Sequence, residues 1–428
     1  MFIESPNEAK ELLSLLDCNS SILNLYYTYP NLHSHKNKPL ALFVNVKKKF
    51  YVISFNHPDS MNIPSEYLNV IFKTLGNKII FDRKKIQYHV NTFENSTDAL
   101  VCSYLSNKSE LNNEYNHNRL KDLRSVPIMI LLKHFKELCS SVDNLKLDSN
   151  LLEYERDFSS ALHGIEKNGL FVSNFNLGDA NLVDENNLVY SQYNMMTPTG
   201  RPSNAFGNVN FAALNKKTGQ RDCFTSRFKE DGLLVMVDYE SYHLRLMGNY
   251  LKYDLPSTSL HEYLGKYYHG KDTLTEEEYE FSKKVTFNLI YGGISDDVKQ
   301  NVPFMKAIAE YVDSVWSYYQ KNQYVETWYY KRKIASMFFG DKINSYKVFN
   351  YLLQSAETEK NCEVILKINE FMQNRKSSMV LYTYDAFLFD MHKSEFKIIK
   401  ELQPIITSNN EYPVRTYIGK TYGDMKQI

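Results

Sequence analysis

Two aspartates far apart in the chain are the residues most suited to chemistry. Asp238 closes the apolar run 233–237 in "GLLVMVDYESYHLRLMG", and Asp385 lies inside a second apolar run, "MVLYTYDAFLFDM" (379–391). A lone carboxylate at the lip of a buried strand is costly unless something compensates it. A pair of them is what a two-metal phosphoryl-transfer site requires. Carboxylate oxygens are hard ligands for Mg²⁺, and metals about 3.5–4 Å apart clamp the attacking and leaving oxygens. Both acids also fit as turn or cap residues. A third element, "EFSKKVTFNLIYGG" (280–293), spaces Lys283, Phe287 and Tyr291 four apart, so they share one helical face. That face offers a cation for a phosphate and two rings for stacking a base, although aromatic stripes at this spacing are usually core.

The elements that must hold these groups follow from periodicity. The run ending at Asp238 reads as a short buried strand, followed by a helix through Leu244, Arg245 and Met247. Residues 280–293 read as a helix ended by a glycine pair. Tyr384, Asp385 and Ala386 read as a hairpin tip with Asp385 exposed. Earlier in the chain, "LALFVNVKKKFYVISF" (40–55) reads as two strands joined at the basic run 47–49. "EYLNVIFKTL" reads as a helix, "NKIIFD" as a strand and "STDALVCSYL" as a helix, giving a small α/β unit over the first 110 or so residues. The polar stretch "SNKSELNNEYNHNRLKD" (106–122) reads as a linker, and "VPIMILLKHFKEL" as a buried helix. From residue 151 the texture changes. "YERDFSSALHGIEKNGLFV" reads as an amphipathic helix stopped at Asn168-Gly169, with a strand after it. Long helical patterns dominate 260–340, and strand signals return at 379–391 and in "YPVRTYIG".

Composition narrows the class. A chain of 428 residues, 43% hydrophobic and 23% charged, fits a globular protein of two or three domains. Lys and Arg balance Asp and Glu at 50 each, so any polyanion site must come from local clustering. Cys18, Cys102, Cys139, Cys223 and Cys362 form no C-x-x-C pair, which argues against a zinc site or disulfide framework and fits a reducing compartment. With no signal peptide and no apolar run near the roughly 18 residues of a membrane span, a cytoplasmic location without membrane contact is expected.

Taken together and in this order, the three elements resemble the motif blocks of family A DNA polymerases, the bacterial DNA polymerase I type. "DGLLVMVDYESYHLRL" is similar to the first palm motif, "KKVTFNLIYGG" to the fingers helix, and "LYTYDAFLFD" to the second palm motif. "TPTGRPSNAFGNVNF" with "KTGQRDCF", "VFNYLLQSAETEKNCEVILKI" and "EYPVRTYIGKTYGDMK" resemble further blocks of the same family. The resemblance implies an α/β (α+β) fold, a right-hand palm and fingers over 136–428, with palm at about 150–255 and 336–428 and fingers at about 256–335. It implies two Mg²⁺ ions, with Mn²⁺ as a substitute, held by Asp238, Asp385 and the backbone at Tyr239. Lys283, His261, Phe287, Tyr291, Tyr239 and His243 would then contact the nucleotide. Arg201, Arg221, Asn350, Gln354 and Tyr384 would contact the primer-template. The implied partners are DNA primer-template, dNTPs and a processivity or replisome protein.

Several departures from the family pattern accompany the match. His243 stands where the family's sugar-discriminating glutamate falls, and Tyr279 where the fingers helix carries an arginine. Ala386 and Tyr384 replace the acid and histidine that flank the second aspartate. The stretch 173–187 is too short for the helical hairpin of a thumb, so the thumb is largely missing and duplex grip should be poor and salt-sensitive. Residues 1–135 are similar to a degenerate RNase H-like 3′–5′ exonuclease domain. It retains Asp82 in "GNKIIFDRKKIQYH" but has no acid in "LNLYYTYPN". The basic runs 47–49 and 83–85 read as solvated surface. The leading expectation is template-directed DNA synthesis of low processivity without proofreading. His243 and the missing thumb keep open a primer-making, ribonucleotide-tolerant or template-independent nucleotidyltransferase. Tyr279 and Ala386 keep open a catalytically inactive replication scaffold or nucleic-acid-binding module.

Overall fold

The computed structural model describes the whole chain except residues 31, 92, 94, 108–110, 112–114, 116–121, 143–148, 175–176, 178–179, 207–208 and 216–217. Most of the expected linker at 106–122 therefore lies outside the described residues. The chain divides into two compact units, Met1–Lys167 and Asn168–Ile428. No helix among the described residues is long and apolar enough to cross a membrane.

In the first unit, strands β1 (Ser21–Tyr27), β2 (Pro39–Val46), β3 (Lys49–Ser54), β4 (Lys78–Ile80) and β5 (Ser96–Asp98) form a sheet in the order β3-β2-β1-β4-β5. The first three pair antiparallel, while β4 and β5 run parallel to β1. Lys47 and Lys48 make the β2–β3 turn with φ of 52° and 61°, the left-handed pair that matches strand twist in a two-residue hairpin. Helices α1 (Pro6–Cys18), α2 (Tyr67–Phe72), α3 (Arg83–Ile86), α4 (Ala99–Leu105), α5 (Ile128–Val142) and α6 (Ser149–Glu166) complete the unit. Ser5 and Glu8 form a capping box at the start of α1, and its Leu12 and Leu16 join Leu23, Leu25 and Val44 in the core. The basic run at 83–85 is not solvated surface. Arg83 is 6% exposed and donates to Ser96 Oγ (2.6 Å), Lys84 pairs with Glu166, and Lys85 donates to the Pro30 carbonyl (3.2 Å). The short helix turns these side chains back into the unit, where each finds a local acceptor.

In the second unit, β6 (Gly232–Tyr239), β7 (Ser378–Tyr382), β8 (Ala386–His392), β9 (Val414–Gly419) and β10 (Lys426–Gln427) form an antiparallel sheet in the order β7-β8-β6-β9-β10. The apolar run before Asp238 is thus the central strand. Leu234 and Met236 bury one of its faces with Leu388, Leu170 and Phe224. The opposite face carries Val235, Val237 and Tyr239. Helices α7 (Tyr242–Leu251), α8 (Leu260–His269), α9 (Glu276–Gly292), α10 (Asp296–Asn301), α11 (Pro303–Asn322), α12 (Ser345–Phe371) and α13 (Ile398–Ile406) surround or extend the sheet. A capping box of Thr275 and Glu278 starts α9, and Gly293 (φ 134°) ends it. Gly265 permits α8 to lie close against α9, since a Cβ there would come within 2.6 Å of Ser282 Oγ. Between Leu170–Val172 and Leu188–Val189, which pair with one another, the regular structure among the described residues is the turn Ala180–Leu182.

Candidate active site

The register of the central strand sets the site. Asp238 has Ala386 of β8 on one side and Arg415 of β9 on the other. Cross-strand neighbours leave a sheet on the same face, so Arg415 rises beside Asp238. The Tyr239 amide donates to the Asp385 carbonyl (2.9 Å), which fixes the β7–β8 tip next to the end of β6. Asn361 of α12 secures that tip. Its amide nitrogen donates to the Tyr384 carbonyl (2.6 Å) and to the Tyr382 hydroxyl (3.0 Å), while its oxygen accepts from the Tyr242 hydroxyl (2.9 Å). Tyr384 (φ 69°) and Ser241 (φ 52°), both in left-handed backbone conformation without being glycine, flank the two aspartates. Strain of this kind persists only where surrounding structure over-determines it, and it concentrates at functional sites.

Asp238 and Asp385 open onto a cavity of about 270 Å³. Arg201, Tyr239, His243, His261, Lys283, Phe287 and Tyr291 also line it. Nine of the residues singled out in the sequence therefore meet in one place. The stripe on α9 is not core. Ser282, Thr286 and Ile290 form the buried face of that helix, whereas Phe287 is 41% exposed and stacks on Tyr291 with ring planes 7° apart. Lys283 is exposed on the same side. Tyr239 contributes backbone to the cavity. Its ring stacks on Tyr242 and its hydroxyl donates to the Ile406 carbonyl (2.7 Å), pointing away from the aspartates.

His261 is 5% exposed, packs 5.7 Å from the Phe287 ring, and has an Nδ1 without a hydrogen-bond partner among the described residues. Burial, with help from the nearby cations Lys283 and Arg415, lowers its pKa to about 4, so it is a neutral imidazole at physiological pH. His243 bonds through Nδ1 to the Tyr291 hydroxyl, and its Nε2 lies 3.5 Å from a carboxylate oxygen of Glu357. With the tyrosine as donor, Nε2 carries the proton toward Glu357. Glu357 is 1% exposed and also pairs with Arg201 at 2.9 Å. Burial alone would raise its pKa, but His243 and Arg201 outweigh burial and hold it below the ordinary carboxylate value. Asp385 shifts the other way. Solvent reaches its carboxylate through the cavity, yet the crowding of protein around it, and then the charge on Glu357, raise its pKa.

The other site candidates lie outside this cavity. Arg221 donates to the Leu214 carbonyl (2.8 Å) and stacks over Tyr422. Asn350 donates to the Tyr291 carbonyl (3.1 Å) and leaves its side-chain oxygen buried without a partner. Gln354 is half-buried one turn further along α12. Tyr384 lies under the Arg201 guanidinium, 3.7 Å from its ring centre.

Among the cavity residues that escaped the sequence reading are Glu357 and Arg415. Glu357 was within reach of pattern, because 350, 354, 357 and 361 fall on one face of α12. Arg415 enters through the register of β9 against β6, which the sequence does not reveal. Among the described residues no group of three or more His, Cys, Asp or Glu side chains is arranged to hold a metal. Two carboxylates still fit Mg²⁺, which takes one or two from protein and completes its octahedron with water and substrate phosphates.

No protein-family model and no curated protein matches the sequence. The structure is similar to the POL domain of Pol1 from M. smegmatis, solved in complex with DNA primer-template and dNTP, with a TM-score of 0.72 and 15% identity over 99% of both chains. The chain has the mixed α/β fold of that POL domain over nearly its full length.

Proposed function

We propose that the chain is a template-directed DNA polymerase, adding deoxynucleotides to a primer 3′ end by two-metal-ion phosphoryl transfer. The observation that carries this reading is the cavity itself. Two strand-end aspartates face a helix that presents Lys283, Phe287 and Tyr291 to the same space. The fold and the primer-template and dNTP bound by the similar Pol1 domain support it.

Asp238 and Asp385 would hold Mg²⁺ with the Tyr239 backbone. Mg²⁺ bound there would favour ionisation of the primer 3′-hydroxyl and neutralise charge on the triphosphate. Lys283 holds a phosphate, Phe287 and Tyr291 close over the base, and the neutral His261 offers a hydrogen bond. His243, tied to Tyr291 and backed by Glu357, walls the sugar. Arg201, fixed between Glu357 and Tyr384, faces the nascent pair, where minor-groove contacts check pairing without reading sequence. Arg221, Asn350, Gln354 and Tyr384, outside the nucleotide cavity, are assigned to the primer-template. The short segment between Val172 and Leu188 supports a reduced thumb, low processivity and reliance on a partner that holds the duplex. For the first unit we assign an RNase H-like fold without nuclease activity, supported by its 3-2-1-4-5 strand order.

The test is extension of a labelled primer on a template with Mg²⁺, using dNTPs, then NTPs, then no template. Extension that needs dNTPs and template supports the reading. Equal use of NTPs, or growth without template, would move the function to a ribonucleotide-tolerant or template-independent nucleotidyltransferase, with His243 at its centre.

A further inference from the structure

We infer that Arg415 is a polyphosphate-binding residue of the cavity, gripping the phosphate tail of the nucleotide from the sheet side while Lys283 grips it from α9; this rests on the polymerase reading above. The register makes Arg415 the cross-strand neighbour of Asp238, and its side chain lines the same cavity. The pairing of charges around the cavity leaves it available. Arg201 is matched by Glu357, and Glu240 by Arg245 at 3.2 Å. Arg415 approaches Glu240 only to 3.9 Å, so it shares a carboxylate that already has a closer cation, and its side chain stays 35% exposed. Among the described residues its one short contact is to a neutral group, the Tyr279 hydroxyl on α9, to which it donates at 3.1 Å. Lys283 has no ion pair among the described residues.

The cavity therefore holds both signs of charge. Asp238 and Asp385 bring carboxylates to it from the strand ends, Arg415 a guanidinium from the strand beside Asp238, and Lys283 and His261 a cation and a neutral imidazole from the helices. The Nδ1 of His261, on a side chain only 5% exposed, lacks a hydrogen-bond partner among the described residues, and the ring lies within the electrostatic reach of both cations. His261 lines the cavity, and its imidazole donates to a phosphate oxygen from whichever ring nitrogen carries the proton. A guanidinium offers a planar fork that holds two phosphate oxygens at once, which an ammonium does not. Two separate cations plus a neutral donor suit a chain of phosphates rather than a single one. The ligand class is a nucleoside di- or triphosphate, bound through its tail.

The experiment uses the full-length chain with Mg²⁺ and without primer-template, so that no turnover occurs. Binding of dAMP, dADP, dATP and inorganic tripolyphosphate is measured by calorimetry for wild type, Arg415→Gln and Arg415→Lys, with thermal melts to check folding. Arg415→Gln is expected to weaken dATP and tripolyphosphate about tenfold or more, while dAMP changes less than about threefold. Arg415→Lys should fall between, because charge remains and the fork is lost. Unchanged dATP affinity in Arg415→Gln, or equal weakening of dAMP and dATP, overturns the inference. If Arg415→Gln fails to fold, tripolyphosphate affinity in Arg415→Lys decides, and a wild-type value there overturns it. If free nucleotides bind too weakly to measure, the KM for dNTP in primer extension decides: a rise in Arg415→Gln upholds the role, and no rise removes it. Arg415-dependent triphosphate binding without any primer extension leaves the inference standing and sinks the polymerase reading. Normal extension with an unchanged nucleotide KM does the reverse.

Discussion

Each unit gathers carboxylates at the end of a strand, and the two clusters have opposite fates. In the first unit Asp98 closes β5 and accepts the amides of Leu100 (2.9 Å), Arg83 (2.6 Å) and Asp82 (3.2 Å). Glu155 of α6 lies within its electrostatic reach, 4% exposed, along with Arg83. Burial pushes Asp98 up to about 6 and Glu155 well above the carboxylate range. In the second unit Asp238 and Asp385 line a cavity, and the Tyr239 amide goes to the carbonyl of Asp385. A strand-end acid becomes structural when backbone amides saturate its oxygens. Asp238 and Asp385 instead line a cavity that they share with Lys283 and Arg415.

The largest effect should come from exchanging the two classes of acid. Asp385→Asn is expected to reduce primer extension by about a thousandfold or more with an unchanged melting temperature, whereas Asp98→Asn should leave the extension rate alone. Next is Glu357→Gln, which leaves Arg201 and His243 without a buried counter-charge. A loss of about 3 kcal/mol in stability is expected, read by denaturant unfolding. The first unit should also carry a pH signature. Folded Asp98 keeps its proton up to about 6, while the unfolded chain releases it near 3.8. Between these values the folded state binds more protons at this group, so the contribution of Asp98 to stability is greatest at acid pH and falls by up to about 3 kcal/mol as pH rises through about 6. Glu155 adds a loss of the same sign at higher pH. Glu155→Gln should flatten the stability–pH curve without touching extension. The smallest effect is on Lys283, where Lys283→Gln should raise the nucleotide KM about tenfold in steady-state extension assays.

Much of this was legible in the sequence, for identifiable reasons. The run before Asp238 is continuously apolar because β6 is central and buried on both faces, so its strand character was plain. The α9 stripe was legible as a face through its spacing, but not as an open face. That required knowing that Ser282, Thr286 and Ile290, rather than Phe287 and Tyr291, take the core contacts. Asp98 passed unnoticed in "STDAL" because its neighbours in space, Asp82 and Glu155, come from distant segments. Arg415 was hidden for the same reason, since a strand register is set by tertiary packing. The vacancy left by Tyr279 was visible. The guanidinium that lies against its hydroxyl was not.

The most direct test places both clusters in one assay. A 5′-labelled primer on its template is incubated with Mg²⁺ and dNTPs, or with Mg²⁺ alone, using wild type, Asp385→Asn and Glu155→Gln. Extension by wild type and Glu155→Gln, none by Asp385→Asn, and no shortening of the primer in any lane is the expected result. Extension that survives Asp385→Asn, or primer shortening that disappears in Glu155→Gln, would contradict the assignment of chemistry to the second unit alone.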